Sequence, residues 1–155
     1  MPNPLQLSLA LALSLALAPA LAQDAHHDHA TGHDAVATME LATPAQPWAT
    51  DAPLREGMRE INDAVAALGH YEHGHMGPDQ AVLLAGQVTD AIGGIVANCE
   101  LEPEADAVLH VVLATLGQAA TELKQDPTGH APIATMRQAL ADYARLFDDS
   151  GFEAP

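Results

Sequence analysis

Residues 53–68 read PLREGMREINDAVAAL, and apolar side chains recur in this stretch at every third or fourth position. That spacing places them on one face of an α-helix. The side chains on this face are Leu54, Met58, Ile61, Val65 and Leu68. Asp51 is a suitable N-cap, Pro53 suits the first turn, and Gly69 is the expected end of the helix. The stretch therefore predicts an amphipathic helix with one face in a core.

Three further stretches carry the same period, and each is bounded by Pro or Gly. We predict four helices near residues 53–68, 79–99, 104–124 and 131–148. No comparable stretch alternates between apolar and polar residues, so we expect no β-strands. Helices of this length with short connections pack as an up-down-up-down antiparallel four-helix bundle. The predicted fold class is all-α, with the bundle over residues 48–155.

The first 47 residues are expected to lie outside this bundle. Residues 1–22 combine an apolar segment, Leu5 to Leu17, with the small-x-small end Ala20-Leu21-Ala22, which predicts a cleaved secretory signal peptide. Residues 23–47 are small, polar and His-rich, and we predict that they form a disordered arm. We expect a periplasmic protein with no membrane insertion after cleavage and no other segment that could cross a membrane.

The charge of the chain restricts its partners. The sequence has 21 Asp and Glu against five Lys and Arg, which gives a formal net charge of −16. An excess of acid this large excludes nucleic acid and anionic lipid as expected partners and favours cations. Solubility alone is the alternative explanation of the acidity.

The nine histidines fall mainly in two clusters. The arm carries His26, His27, His29 and His33. The linker after the first predicted helix carries His70, His73 and His75. Neutral imidazole is a common metal ligand, and short His-rich tracts are typical of metal binding. We predict Cu(II) or Zn at both clusters; exposed histidines without a function are the alternative.

A third candidate site lies at one end of the predicted bundle. Aligning the helices from their connecting loops places Met58 level with about Thr89 and His110 level with about Ile95, so these two side chains come within about a turn of each other. Cys99, the only cysteine, lies about a turn away. Thioether, thiolate and imidazole together favour Cu(I). The alternatives are core packing for Met58, a boundary position for His110, and a buried or intermolecularly paired thiol for Cys99.

Two segments resemble known families. The segment Leu54-Arg55-x-Gly57-Met58 resembles the start of the soluble periplasmic b-type cytochromes, whose scaffold is a four-helix bundle. That family holds haem between a Met in helix one and a His late in helix four. Met58 matches the first ligand, but the matching stretch of helix four, residues 141–147, contains no His. The resemblance covers about residues 53–148 and implies the scaffold without the haem.

The second resemblance lies at the turn between helices two and three. The segment Asn98-Cys99-x-Leu101-x-Pro103-x-Ala105-Asp106-x-x-Leu109-His110 is similar to that of small exported bacterial bundle proteins, for some of which copper handling has been considered. The chain also lacks Cys-x-x-Cys-His, which excludes c-type haem attachment.

These patterns predict a metal-binding protein rather than an enzyme. The sequence contains neither Glu-x-x-His pairs for a di-iron site nor His-Glu-x-x-His. We expect a periplasmic protein that buffers, stores or delivers a transition metal, copper first, with another periplasmic protein as a possible partner. The alternatives are a non-catalytic helical bundle that binds protein, and a haem-binding electron carrier. The sequence does not indicate an oligomeric state.

Overall fold

The structure, a computed structural model, describes residues 43–155 and is mostly helical. Its elements in chain order are β1 (Trp48–Ala49), α1 (Ala52–Glu72), α2 (Pro78–Asn98), α3 (Pro103–Gln125), α4 (Ala131–Leu146) and β2 (Phe147–Asp148). The all-α class is confirmed. The expected signal peptide and most of the arm, residues 1–42, lie outside the described residues.

The helices begin where the sequence predicts because proline occupies an early position in each of them. Proline has no N–H to lose in a first turn, and its fixed φ suits a helix. At α1, Asp51 is the N-cap, and its carboxylate accepts the Leu54 N–H at 2.9 Å. All four predicted starts are confirmed to within one residue.

The predicted end of α1 is wrong. The helix continues through Gly69 to Glu72 and ends in a left-handed turn at Gly74, whose φ is +73°. The Gly74 N–H donates to the Tyr71 carbonyl at 3.0 Å and the His75 N–H to the His70 carbonyl at 2.8 Å, which is the Schellman pattern. Gly69 lowers helix propensity by about 1 kcal/mol, but contacts of the following turn outweigh that cost, since Tyr71 packs against the core.

The core lies along one face of each helix and consists mainly of Leu, Ile, Val and Ala, as predicted. Each helix packs along the one before it, and α1 also contacts α4. The closest approach lies between α1 and α2. A Cβ placed on Gly57 would lie 2.4 Å from Cγ1 of Ile95, so only glycine fits there without movement of its neighbour.

Two short strands contradict the expectation that the chain has none. Trp48 pairs with Phe147 and Ala49 with Asp148 in a parallel arrangement. The hydroxyl of Thr50 extends this pairing by donating to the Asp148 carbonyl at 2.8 Å. Strands of two residues are too short to produce a period-two pattern, so sequence periodicity does not indicate them.

Helix α2 bears on the expectation that no segment after the signal peptide could cross a membrane. Among the described residues it is the helix that is long and apolar enough, by length and composition, to cross a membrane, with a mean hydropathy of 1.3 over its most apolar 18 residues. Only 28% of that window is buried. On this criterion the statement that no segment beyond the signal could span a membrane is wrong. Much of an apolar helix is therefore left uncovered, including Leu83 at 69% exposure.

The contact between Gly57 and Ile95 gives a stability prediction. Gly57→Ala should lower the free energy of unfolding by about 1–3 kcal/mol, because the added methyl overpacks the α1–α2 interface. The matched control is Gly93→Ala, since a Cβ there meets no atom within 4 Å. This control should gain up to about 1 kcal/mol from helix propensity. Urea denaturation measures both, and equal effects of the two substitutions would contradict the close approach.

Candidate metal site

The turn at Gly74 brings three imidazoles together. Because the chain reverses there, His75 folds back beneath the last turn of α1, where His70 and His73 lie. The ring centroids of His70 and His75 are 6.4 Å apart, and those of His73 and His75 are also 6.4 Å apart. His75 is thus the central member, and all three residues are exposed. The sequence predicts the cluster, but the left-handed turn creates the arrangement.

This cluster is close to the geometry of a metal site without matching it. Two imidazoles on one tetrahedral ion, each bound at about 2.0–2.1 Å, would have centroids roughly 5 Å apart. The observed separations exceed that value by little more than 1 Å. Within residues 43–155, no group of three His, Cys, Asp or Glu is already placed to hold a metal ion. One ion held by two of these rings would require their centroids to move closer by little more than 1 Å.

A fourth histidine, His130, lies near the cluster, and the sequence reasoning missed it. His130 is the N-cap residue of α4 and its ring meets that of Tyr71 edge-on, with centroids 5.4 Å apart. The Tyr71 hydroxyl also donates to the carbonyl of Pro127 in the same connection. The available signal was topology, since the loops after the first and third helices of an alternating bundle lie at the same end.

An ion pair fixes the last turn of α1. Arg137 of α4 donates to the carboxylate of Glu72. That hydrogen bond holds the pKa of Glu72 below its ordinary value, although burial acts to raise it. The charges of Arg137, His130 and His73 also lower this pKa. No partner for Glu72 is predicted from the sequence. The pair anchors Glu72, and His70 and His73 lie before and after this residue in the chain.

The third predicted site, of Met58, Cys99 and His110, is not assembled. Met58 is fully buried, Cys99 is half-buried after the end of α2, and His110 is exposed. The register differs from the one that loop lengths predict. Gly57 lies against Ala91 and Ile95, and Gly117 lies against Ile92. His110 is therefore level with about Cys99 and Met58 with about Ile92, so the two lie about 10 Å apart along the axis, much as their predicted levels do. They do not meet because Met58 is buried in the core whereas His110 is exposed.

The surroundings of the other two residues do not form a metal site either. Burial raises the pKa of the Cys99 thiol, and the carboxylates of Asp51 and Asp106 raise it further, so the neutral thiol is favoured over the thiolate that binds metal. Nδ1 of His110 faces Asp106, at 2.9 Å from its carbonyl and 3.4 Å from its carboxylate. The structure gives the three-residue Cu(I) site no geometric support, and that site stays a prediction.

The arm cluster of His26, His27, His29 and His33 lies outside the described residues. Its binding of Cu(II) or Zn stays a prediction. The sequence matches no protein family model, and comparisons with curated proteins and with solved structures also found no match.

The ion pair between Glu72 and Arg137 predicts a pH-dependent contribution to stability. A carboxyl whose pKa is lowered by folding stabilises the fold above its ordinary pKa, and this contribution is lost as the pH falls through the folded value. Glu72→Gln should cost about 1 kcal/mol or less at pH 7, because both side chains remain partly exposed. The difference from wild type should close between about pH 5 and pH 3.

The matched control for this prediction is Glu60→Gln on the same helix. Glu60 is exposed and takes part in none of the ion pairs within residues 43–155. Urea denaturation across the pH range measures both variants. A pH-independent cost for Glu72→Gln would show that the side chain acts through packing rather than through its charge.

Proposed function

We propose that this protein binds a transition metal, copper first, and buffers, stores or delivers it in the periplasm after cleavage of residues 1–22. The observation that carries the proposal is the grouping of His70, His73 and His75, with His75 6.4 Å by ring centroid from each of the others. The up-down-up-down antiparallel bundle over residues 48–155, with a disordered arm over residues 23–47, belongs to the same proposal.

Three properties of this cluster support reversible binding rather than a structural site. The histidines are exposed, so an ion reaches them directly from solvent. They stand on a helix end that Arg137 ties to α4, so their backbone is already ordered before binding. The ligand positions are slightly too far apart, so part of the binding energy is used to close them. An affinity below that of a preformed site suits a buffer or a delivery protein.

The net charge of −16 adds a long-range component. A negative surface raises the local concentration of cations and speeds their association. In the proposal, the arm histidines His26, His27, His29 and His33 first collect Cu(II) or Zn weakly, since ordering a disordered segment costs conformational entropy. The cluster at His75 then holds the ion more tightly, because fewer residues have to be ordered there.

The haem alternative has less support than metal binding. Met58, which matches the cytochrome ligand, is fully buried among core side chains. In the stretch of α4 where the second ligand would lie, Tyr143 is also buried, stacked on Phe147 with centroids 5.1 Å apart. No histidine occurs in residues 141–147. A haem titration followed by visible spectroscopy separates the two functions.

The proposal predicts how single histidines contribute to binding. In the mature chain with all four arm histidines changed to Asn, Cu(II) should bind with a stoichiometry of about one. His75→Ala in that background should weaken binding at least about tenfold, since it removes the central ligand. Affinity should also fall steeply from about pH 7 to pH 5, because protons compete for imidazole. Isothermal titration calorimetry measures both effects.

The matched control is His110→Ala, which removes an exposed histidine from the middle of the surface of α3. This variant should bind Cu(II) as the parent does. If His75→Ala and His110→Ala have the same effect, binding is nonspecific and the proposed site is wrong.

A further inference from the structure

A groove runs along the outer junction of α1 and α2 and ends about one helical turn before His70. Its first part has a volume of about 320 Å³ and is lined by Pro53, Glu56, Gly57, Glu60, Asp90, Ala91, Gly94, Ile95 and Asn98. Its second part, of about 430 Å³, shares Glu60 and is lined by Asp63, Ala64, Ala67, Leu84 and Gln87. The two parts lie end to end along α1 and α2 and meet at Glu60, and together they are called the channel. From Leu84 to Asn98 the helix rises about 21 Å, which is the length of a 14-residue helix.

The floor and rims of this groove differ in chemistry. The floor is made of small and aliphatic residues, of which Ala67 and Leu84 are partly exposed, whereas Gly57, Ala91 and Ile95 are buried. The exposed Leu83 is not part of the lining but lies on the same side of α2 as the rim residues Gln87 and Asp90, which follow it at helical spacing. Partly exposed apolar side chains beside polar rims are typical of a site for another molecule.

The rims carry negative charge that the described residues do not neutralise. Glu56, Glu60, Asp63 and Asp90 line the groove. Within residues 43–155, the ion pairs involve Asp106, Glu72 and Asp142, so none of these four carboxylates is paired. No Lys or Arg lines either part of the groove. The occupant that complements this surface therefore has apolar residues on one face and cations beside it.

Gly94 on the floor has no internal packing role. A Cβ placed there would meet no atom within 4 Å, unlike that of Gly57 deeper in the same groove. A glycine inside a helix costs about 1 kcal/mol relative to alanine. Because Gly94 has no side chain, the groove stays open at this position. An incoming helix could occupy that space.

We infer that this groove is the docking site for a cationic amphipathic helix of another protein, laid along the apolar floor with its Lys or Arg side chains on the carboxylates. A helix in a groove is a common mode of recognition, and its length here matches the channel. Paired charges at the rim set the orientation and speed the encounter. None of the residues His70, His73 and His75 lines this groove.

A second copy of the chain fits the groove less well. Each copy carries a formal charge of −16, and the surface to be covered is itself acidic, so self-association would place like charges together. An anionic membrane surface meets the same repulsion, and Asp90 interrupts the apolar face of α2. Charge complementarity thus selects a basic partner.

The test measures binding of a labelled peptide to the full mature chain in EDTA. The probe is a synthetic 18-residue helix with Leu and Ala on one face and Lys beside it. Fluorescence anisotropy should report saturable binding that weakens when NaCl is raised from 50 to 300 mM. A scrambled peptide of the same composition and a peptide with Glu in place of Lys should bind at least tenfold more weakly. Equal binding of the scrambled peptide would overturn the proposal.

Two leucine variants locate the binding surface. Gly94→Leu starts a bulky side chain from a Cβ position that meets no atom within 4 Å, and it should weaken binding at least tenfold. Gly93→Leu is the control, because Gly93 is exposed, equally free of contacts and outside the groove lining. It should bind within twofold of wild type. Thermal unfolding of both variants should be at or above that of wild type, so a loss of binding by Gly94→Leu cannot be attributed to unfolding.

Two further measurements address other occupants. The double variant Glu60→Gln, Asp90→Asn should weaken peptide binding and reduce its dependence on salt. If spermine displaces the peptide as effectively as unlabelled peptide does, mole for mole, the surface is only a cation sink and the proposal fails. If sedimentation shows a wild-type dimer that Gly94→Leu converts to a monomer, a second copy covers the groove and the proposal also fails.

Discussion

The close approach of α1 to α2 at Gly57 is the constraint on which the other features depend. Ile95 occupies the space that a Cβ would need, so the two helices lie in contact along this line. The contact fixes which residues of the two helices face each other. It also sets the depth of the groove on one side of the pair and the position of the α1–α2 turn at its end. Because the core is aliphatic and rich in Ala, such contacts rather than large aromatic side chains determine how the helices fit.

The helices were predictable from sequence, and their ends and register were less so. Proline marks each start, and apolar periodicity identifies the buried faces. Gly69 and Gly74 look equivalent in sequence, but only Gly74 adopts the left-handed conformation that ends α1. The choice between them depends on the tertiary contacts of Tyr71 and Glu72. That extension lengthens α1 by about a turn and shifts the residues of α1 and α2 that face each other. Met58 and His110 are not neighbours because Met58 is buried in the core and His110 is exposed.

At the candidate site, too, the sequence identifies the residues, whereas the tertiary structure determines how they are arranged. The residues His70, His73 and His75 stand out by composition, so sequence suffices to nominate them. Their mutual distances come from the turn at Gly74. His130 is isolated in sequence and becomes relevant only when the α3–α4 connection packs against Tyr71. The acidic groove is also invisible to periodicity, since it is formed by residues of two helices that are far apart in sequence.

In the proposed function, the histidine cluster at the α1–α2 turn is the metal site of the folded domain. Paramagnetic line broadening tests it most directly, because Cu(II) broadens the NMR signals of amides close to the ion. Substoichiometric Cu(II) added to ¹⁵N-labelled mature protein should, within residues 43–155, broaden residues 70–76 and His130 first. Broadening centred on Cys99, Asp106 and His110, or spread evenly over the acidic surface, would contradict the account.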